Sequence, residues 1–198
     1  MERVSLTHFV DFTLKIGAPR LTLVKDFKEH RYDHLTDFYR PLREAIVDMH
    51  EKKRPESALD DLMGTLADER KRRIFPGLVA GYRKWLHASK ATWFTPPTAV
   101  LAMGDSEINI NPELGFEING TPHLLKMYFR GEALARRRVQ ITLSLITQAL
   151  GASRPGTVFG MLDVKNARLH TLKAAPNPKL NLLMRGEMAS FATIYNAA

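Results

Sequence analysis

The stretch Glu107-Ile108-Asn109-Ile110-Asn111, followed by Leu114-Gly115-Phe116-Glu117-Ile118 and then Asn119-Gly120, decides the fold. Apolar and polar residues alternate strictly in the first run and nearly so in the second. That is the pattern of strands with one face in a core and one in water. Asn119-Gly120 is a strong hairpin signal, because a type I′ turn needs positive φ at both central residues. The return strand reads from His123 to Phe129, and upstream Thr98 to Met103 reads as a short buried strand ending at Gly104-Asp105. The expectation is an antiparallel β-meander with a hairpin at Asn119-Gly120.

On either side the periodicity becomes helical. Pro41 suits a helix start, and Leu42, Ala45, Ile46 and Met49 follow on one face. Ser57 and Asp68 are placed to cap the next two helices. The second of these turns Leu78, Val79, Tyr82 and Trp85 inward and is expected to divide at Pro76, which cannot donate to the helical ladder. Downstream, Gly131 to Leu150 reads as a long helix closed by Gly151. Thr157 to Val164 reads as a strand buried on both faces, with Arg168 to Leu172 as a partner strand. Leu180 to Tyr195 is a last helix with Leu183, Met184, Met188 and Phe191 inward. The fold class is α+β, with a helical N-terminal region over 1–73 and an α+β domain over 74–198, separate or continuous.

Composition excludes several classes. The 198 residues are 44% hydrophobic and 25% charged, an ordinary globular balance. The chain has no cysteine, which removes disulfide frameworks, Cys-ligated metal and thiol nucleophiles. No apolar run reaches the roughly 20 residues of a membrane span, and Met1-Glu2-Arg3-Val4-Ser5 is not a signal peptide, so a cytoplasmic protein without a membrane partner is expected. P-loop, Rossmann, GxSxG and HExxH patterns are absent.

The formal charge is +8, and its distribution says more than its sum. Residues 1–67 are close to neutral at −1, whereas 68–138 carry +5 and 139–198 carry +4. Within the basic part lie two runs, Arg70-Lys71-Arg72-Arg73 and Arg136-Arg137-Arg138, with Arg83, Lys84, Lys90, Trp93 and Phe94 between them. Three consecutive helical residues fan through about 200°, so some of each run must face water. Arginine there suits phosphate oxygens, and aromatics among cations suit splayed bases. A solvated helix face paired with Asp68, Glu69 or Glu132 is the plainer alternative. Nucleic acid is the expected partner, held by Arg70 to Arg73, Arg83, Lys84 and Arg136 to Arg138.

Two constellations could carry chemistry. His30 and His34 stand at metal spacing, with Asp37 and His50 as further ligands. Lys28 and Arg31 would repel a cation there, and no metal site is expected. In the hairpin, a turn at Asn119-Gly120 pairs Ile118 with Thr121 and Glu117 with Pro122. The same register sets Lys126 opposite Glu113 as a cross-strand ion pair.

The order helix, three meandering strands, helix, strand over roughly residues 74–165 resembles the core of restriction-endonuclease-like, PD-(D/E)XK, proteins. That resemblance implies an acid on one strand and acid-x-lysine on the next, holding a divalent metal and activating water. It matches Glu117 to the first acid and Lys126 to the lysine. Leu124 stands where the second acid belongs. Asp163-Val164-Lys165 has the acid-x-lysine spelling but comes after the long helix. The resulting expectation is a protein gripping the phosphate backbone, with a catalytically degenerate nuclease-like domain and no cofactor. A metal-dependent nuclease using Glu117, Lys126 and Asp163 with Mg²⁺ is one alternative. A protein-interaction module docking through Asp33, Asp37, Glu44 and Asp48 is the other.

Overall fold

The computed structural model describes residues 3–30, 37–172 and 177–198. The His30/His34 pair and Asp33 lie outside the residues whose side chains are described. The elements in chain order are β1 (Arg3–Ser5), α1 (Leu6–Leu14), α2 (Ala18–His30), α3 (Arg40–Glu51), α4 (Ala58–Thr65), α5 (Glu69–Ser89), β2 (Thr92–Trp93), β3 (Ala99–Met103), β4 (Ser106–Ile110), β5 (Leu114–Ile118), β6 (Thr121–Tyr128), α6 (Arg136–Leu150), β7 (Val158–Asp163), β8 (Arg168–Thr171) and α7 (Pro178–Ala197). The chain is α+β, with a helical N-terminal region and a C-terminal helix.

The expected hairpin at Asn119-Gly120 forms, and a second joins β3 to β4 at Gly104. Gly104 takes a φ of 64°, and Asn119 and Gly120 take 51° and 76°, as a primed turn demands. The hairpins nevertheless belong to different sheets. One sheet has the order β1-β4-β3 and the other β2-β5-β6-β7-β8. The expected meander is therefore split at Asn111-Pro112, and Glu107 and Glu117 do not lie on neighbouring strands. A proline there has no N–H with which to carry a ladder onward. Each sheet also holds one parallel pair: β1 with β4, and β6 with β7 across α6.

The five-stranded sheet is covered on both faces. Leu114, Phe116, Leu125, Met127, Phe129, Leu162 and Val164 pack against Leu42, Ile46, Leu59, Phe75, Tyr82 and Trp85 from α3, α4 and α5. On the opposite face Leu124, Tyr128 and Met161 join Phe9, Phe12, Ile108, Leu145, Met184 and Phe191. Alternation along β6 sends even and odd positions to these two cores. The helices before residue 73 thus share both cores with the strands and helices after it, and α5 runs across residues 73 and 74.

Four local expectations change. The helix α5 continues through Pro76, which is exposed, so water can serve the carbonyl its ring leaves free. Strand β3 is a partly exposed edge paired only with β4, and Val100 is 47% exposed. The long helix begins at Arg136 instead of Gly131, and Gly151 keeps helical φ and ψ of −60° and −42°. On α7, Leu183 turns outward beside Leu182, while Met184, Met188 and Phe191 are buried.

Between the sheet and α3 lies a neutral histidine. His50 stacks on Trp93 at 5.1 Å, meets Phe116 edge-on at 4.9 Å and is 2.5 Å from the Tyr82 hydroxyl. Burial holds its pKa down from 6.5 to about 4, against a smaller opposing pull from Glu56. The unfolded chain therefore takes up a proton near pH 6.5 that the folded chain refuses until about pH 4. Stability present above pH 6.5 is lost as the pH falls through that window. Thermal unfolding measured from about pH 7 to about pH 4 should show a falling Tm in the wild type and a shallower fall in His50→Gln. Equal slopes would remove His50 as the cause.

Candidate functional site

A cleft of about 1790 Å³ opens where β1, α1, α2 and the start of α3 meet β6 and α6. The sheet supplies its floor. Lys126 and Tyr128 project on the same face of β6, with Glu113 beside them at the entry to β5. The helix α1 supplies a wall, because Ser5 caps it and places His8 and Asp11 on successive turns facing the cleft.

The floor is an ion pair. Lys126 donates to Glu113, to the Asn111 carbonyl at 3.2 Å and to the Asn111 side-chain oxygen at 3.3 Å. The second Glu113 oxygen accepts the Met127 N–H at 2.9 Å. The two side chains are only 8% and 10% exposed. Three acceptors occupy the three protons an ammonium has to give. The register read from the sequence is the one observed, and burial makes the pair far more consequential than an exposed cross-strand contact.

The wall carries a different arrangement. Arg138 donates to Asp11 at 2.6 Å, and Arg130 donates to the other oxygen of the same carboxylate. The Arg138 guanidinium also lies over the Tyr128 ring, 5.9 Å from its centre. Burial works against the Arg130 charge, but Asp11 outweighs it and holds the guanidinium above its ordinary pKa. His8, its Nδ1 2.8 Å from the Ser5 hydroxyl, is held below its ordinary pKa by burial, although Asp11 and Asp37 pull the other way.

Of the residues singled out from the sequence, Lys126 lies in the cleft and its two expected companions do not. Glu117 is exposed and sits opposite Pro122, four residues along the sheet from Lys126, about 13 Å at the rise of a strand. Asp163 is buried at the end of β7, where it accepts from the Asn166 N–H and side-chain amide and so shapes the β7–β8 turn. The acid that does meet Lys126 is Glu113, its partner in the hairpin register.

The basic residues divide similarly. Arg83 is committed to Asp60 at 2.8 Å and to Glu56, so it fastens α5 to α4 instead of standing free. Arg138 is committed to Asp11 but lines the cleft. Arg70, Lys71, Arg72, Arg73, Lys84, Arg136 and Arg137 carry no ion pair among the described residues. Arg70 and Lys71 lie over the ring of Phe38, at 5.4 and 5.7 Å from its centre, and Phe38 lines the cleft, which puts these two residues at its rim. Trp93 and Phe94 are partly buried, packed against the two cores.

Sequence reasoning misses Arg3, Arg40, Arg43 and Arg130, all of which line the cleft. They are single cations scattered along the chain, and only the tertiary fold collects them. Asp11 is equally hidden, its one signal being its place one turn after His8 on a capped helix.

No protein-family model matches the chain, and no curated protein matches it. Among solved structures, the crystal structure of SSO0001 aligns with a TM-score of 0.41 at 9% identity, over 98% of this chain and 76% of that one. A likeness of that size carries no argument.

Proposed function

We propose that this protein binds nucleic acid through the cleft, gripping the phosphate backbone without cutting it. The observation that supports this best is convergence. Arg3, Lys15, Arg40, Arg43, Arg130 and Arg138 come together in one cleft from opposite parts of the sequence and outnumber its acids Asp11, Asp26, Asp37 and Glu44. The Lys126–Glu113 pair closes the floor, and Arg70 and Lys71 stand at the rim. At about 1790 Å³ the space exceeds the roughly 300–1,000 Å³ usual for small-molecule sites and suits a polymer.

Two further observations favour binding over hydrolysis. The resemblance to restriction-endonuclease-like cores asks for acids and a lysine on adjacent strands. Glu113 and Lys126 stand so, while Leu124 replaces the second acid. The donors do not fit a divalent ion: both Glu113 oxygens are taken, and no group of three His, Asp or Glu among the described residues could hold one.

Fluorescence anisotropy with labelled single- and double-stranded DNA and RNA, over a salt series with and without Mg²⁺, tests the reading. The expected result is an intact probe and an affinity falling with log salt by a slope of about −0.7 to −0.9 per phosphate neutralised. Binding that ignores salt, or none at low salt, would overturn it. Cleavage dependent on Mg²⁺ would replace it with the nuclease reading. A salt-resistant complex with a protein and no nucleic acid would point to the interaction module.

A further inference from the structure

We infer that Arg130 and Arg138, bridged by Asp11, form a phosphodiester seat in the wall of the cleft, with Asp11 acting as a built-in competitor for it. The inference rests on the nucleic-acid reading and says which contact of that reading carries weight.

Of the five other cations of the cleft, Lys15 is exposed and carries no ion pair among the described residues, and the remaining four each have a carboxylate of their own. Arg3 pairs with Glu107, Arg40 with Glu44, Arg43 with Asp37 and Lys126 with Glu113. At Asp11 two guanidiniums share one carboxylate, which leaves a net positive charge in a confined place. Glu132 reaches Arg130 only at 3.7 Å and is 67% exposed, so water screens it. A phosphodiester carries the single negative charge that balances this excess.

Geometry points the same way. A guanidinium has five N–H donors in a rigid fork, and the Asp11 contacts use few of them on either arginine. Arg138 is 13% exposed, and its plane is set by Asp11 on one edge and the Tyr128 ring on its face. Arg130, 39% exposed, presents the outer side. Two pre-set forks lose little rotational freedom on meeting a phosphate, which is where bidentate arginine gains over lysine. Asp11 holds both arginines in place, and its carboxylate occupies donors that a phosphate would otherwise take.

This gives opposite signs for neighbouring substitutions. Arg130→Ala and Arg138→Ala should each weaken oligonucleotide binding about tenfold and flatten the salt slope by about one phosphate. Arg138→Lys, the control if Arg138→Ala fails to fold, should fall between, keeping the charge and losing the fork. Asp11→Asn keeps an acceptor for the arginines and removes the competing charge, so it should tighten binding about threefold to tenfold. Each is measured by anisotropy on full-length protein with circular dichroism confirming the fold. Tighter binding by Asp11→Asn together with weaker binding by the arginine variants supports the seat. Wild-type affinity in the arginine variants, or weaker binding by folded Asp11→Asn, overturns the seat and leaves the nucleic-acid reading standing. Failure of the wild type to bind any oligonucleotide overturns that reading instead.

Discussion

Replacing Lys126 by methionine is expected to cost about 3–5 kcal/mol of stability, the range for removing one partner of a buried ion pair. The variant keeps the volume and loses the charge. Glu113 is then left in the floor of the cleft with the Met127 N–H as its remaining partner. A buried carboxylate with so little compensation is the unfavourable species, so the loss exceeds any Coulomb energy the pair supplied. The companion substitution separates these ideas. Glu113→Leu with Lys126→Met removes both charges and should recover most of the deficit, less about 1–3 kcal/mol for the Met127 N–H that loses its acceptor. Urea unfolding of the wild type, the single variant and the double variant measures all three. A single variant as stable as the wild type, or a double variant worse than the single, would contradict the account.

The second large effect falls on Gly81, in the middle of α5. A Cβ placed there would stand 2.1 Å from the Val164 carbonyl and 2.8 Å from that of Lys165. Both obstacles are backbone, so no rotamer change relieves them; the helix must back away from the end of β7. Overpacking of this kind costs about 1–3 kcal/mol or more, against roughly 1 kcal/mol that alanine gains over glycine in a helix. The clash wins, and Gly81→Ala should be clearly less stable. Gly77 lies one turn earlier with nothing within 4 Å of its would-be Cβ. There alanine should stabilise by roughly 0.5–1 kcal/mol. Opposite signs four residues apart on one helix, read from chemical denaturation, test the close approach directly.

Much of the fold is legible because it is written in local terms. Alternation marks β4 and β5, Asn119-Gly120 marks the hairpin, and that hairpin's register leads to the Glu113–Lys126 pair. The illegible parts depend on distant partners. Nothing in Arg3-Val4-Ser5 announces a strand, since it becomes one only by lying beside Glu107 to Asn109. The division of the strands between two sheets is hidden for a similar reason, as period-two alternation is the same whichever neighbour a strand takes. Pro76 misleads because its local cost, a lost hydrogen bond and a crowded Arg72 carbonyl, is offset by the tertiary packing of Phe75, Leu78 and Val79 on either side of it. As for the site, the arginine runs are conspicuous and partly diverted to other tasks, while the cleft's own cations are isolated in sequence. Clustering in a chain and clustering in space are different properties, and here the second assembles the site.

The parallel pairing of β1 with β4 also bears on how the chain reaches its fold. Arg3 and Glu107 are 104 residues apart, and the ladder that links them can form only after both have been made. A growing polypeptide emerges at about 5–20 residues per second, so β1 waits at least several seconds for its neighbour. During that time Leu6, Phe9 and Phe12 lack the partners that bury them, and a nine-residue helix has little stability by itself. Assembly of the first core is thereby postponed, and loop closure over such a span slows it further. Until β4 arrives, that apolar face stays open to non-native contacts of the kind chaperones shield.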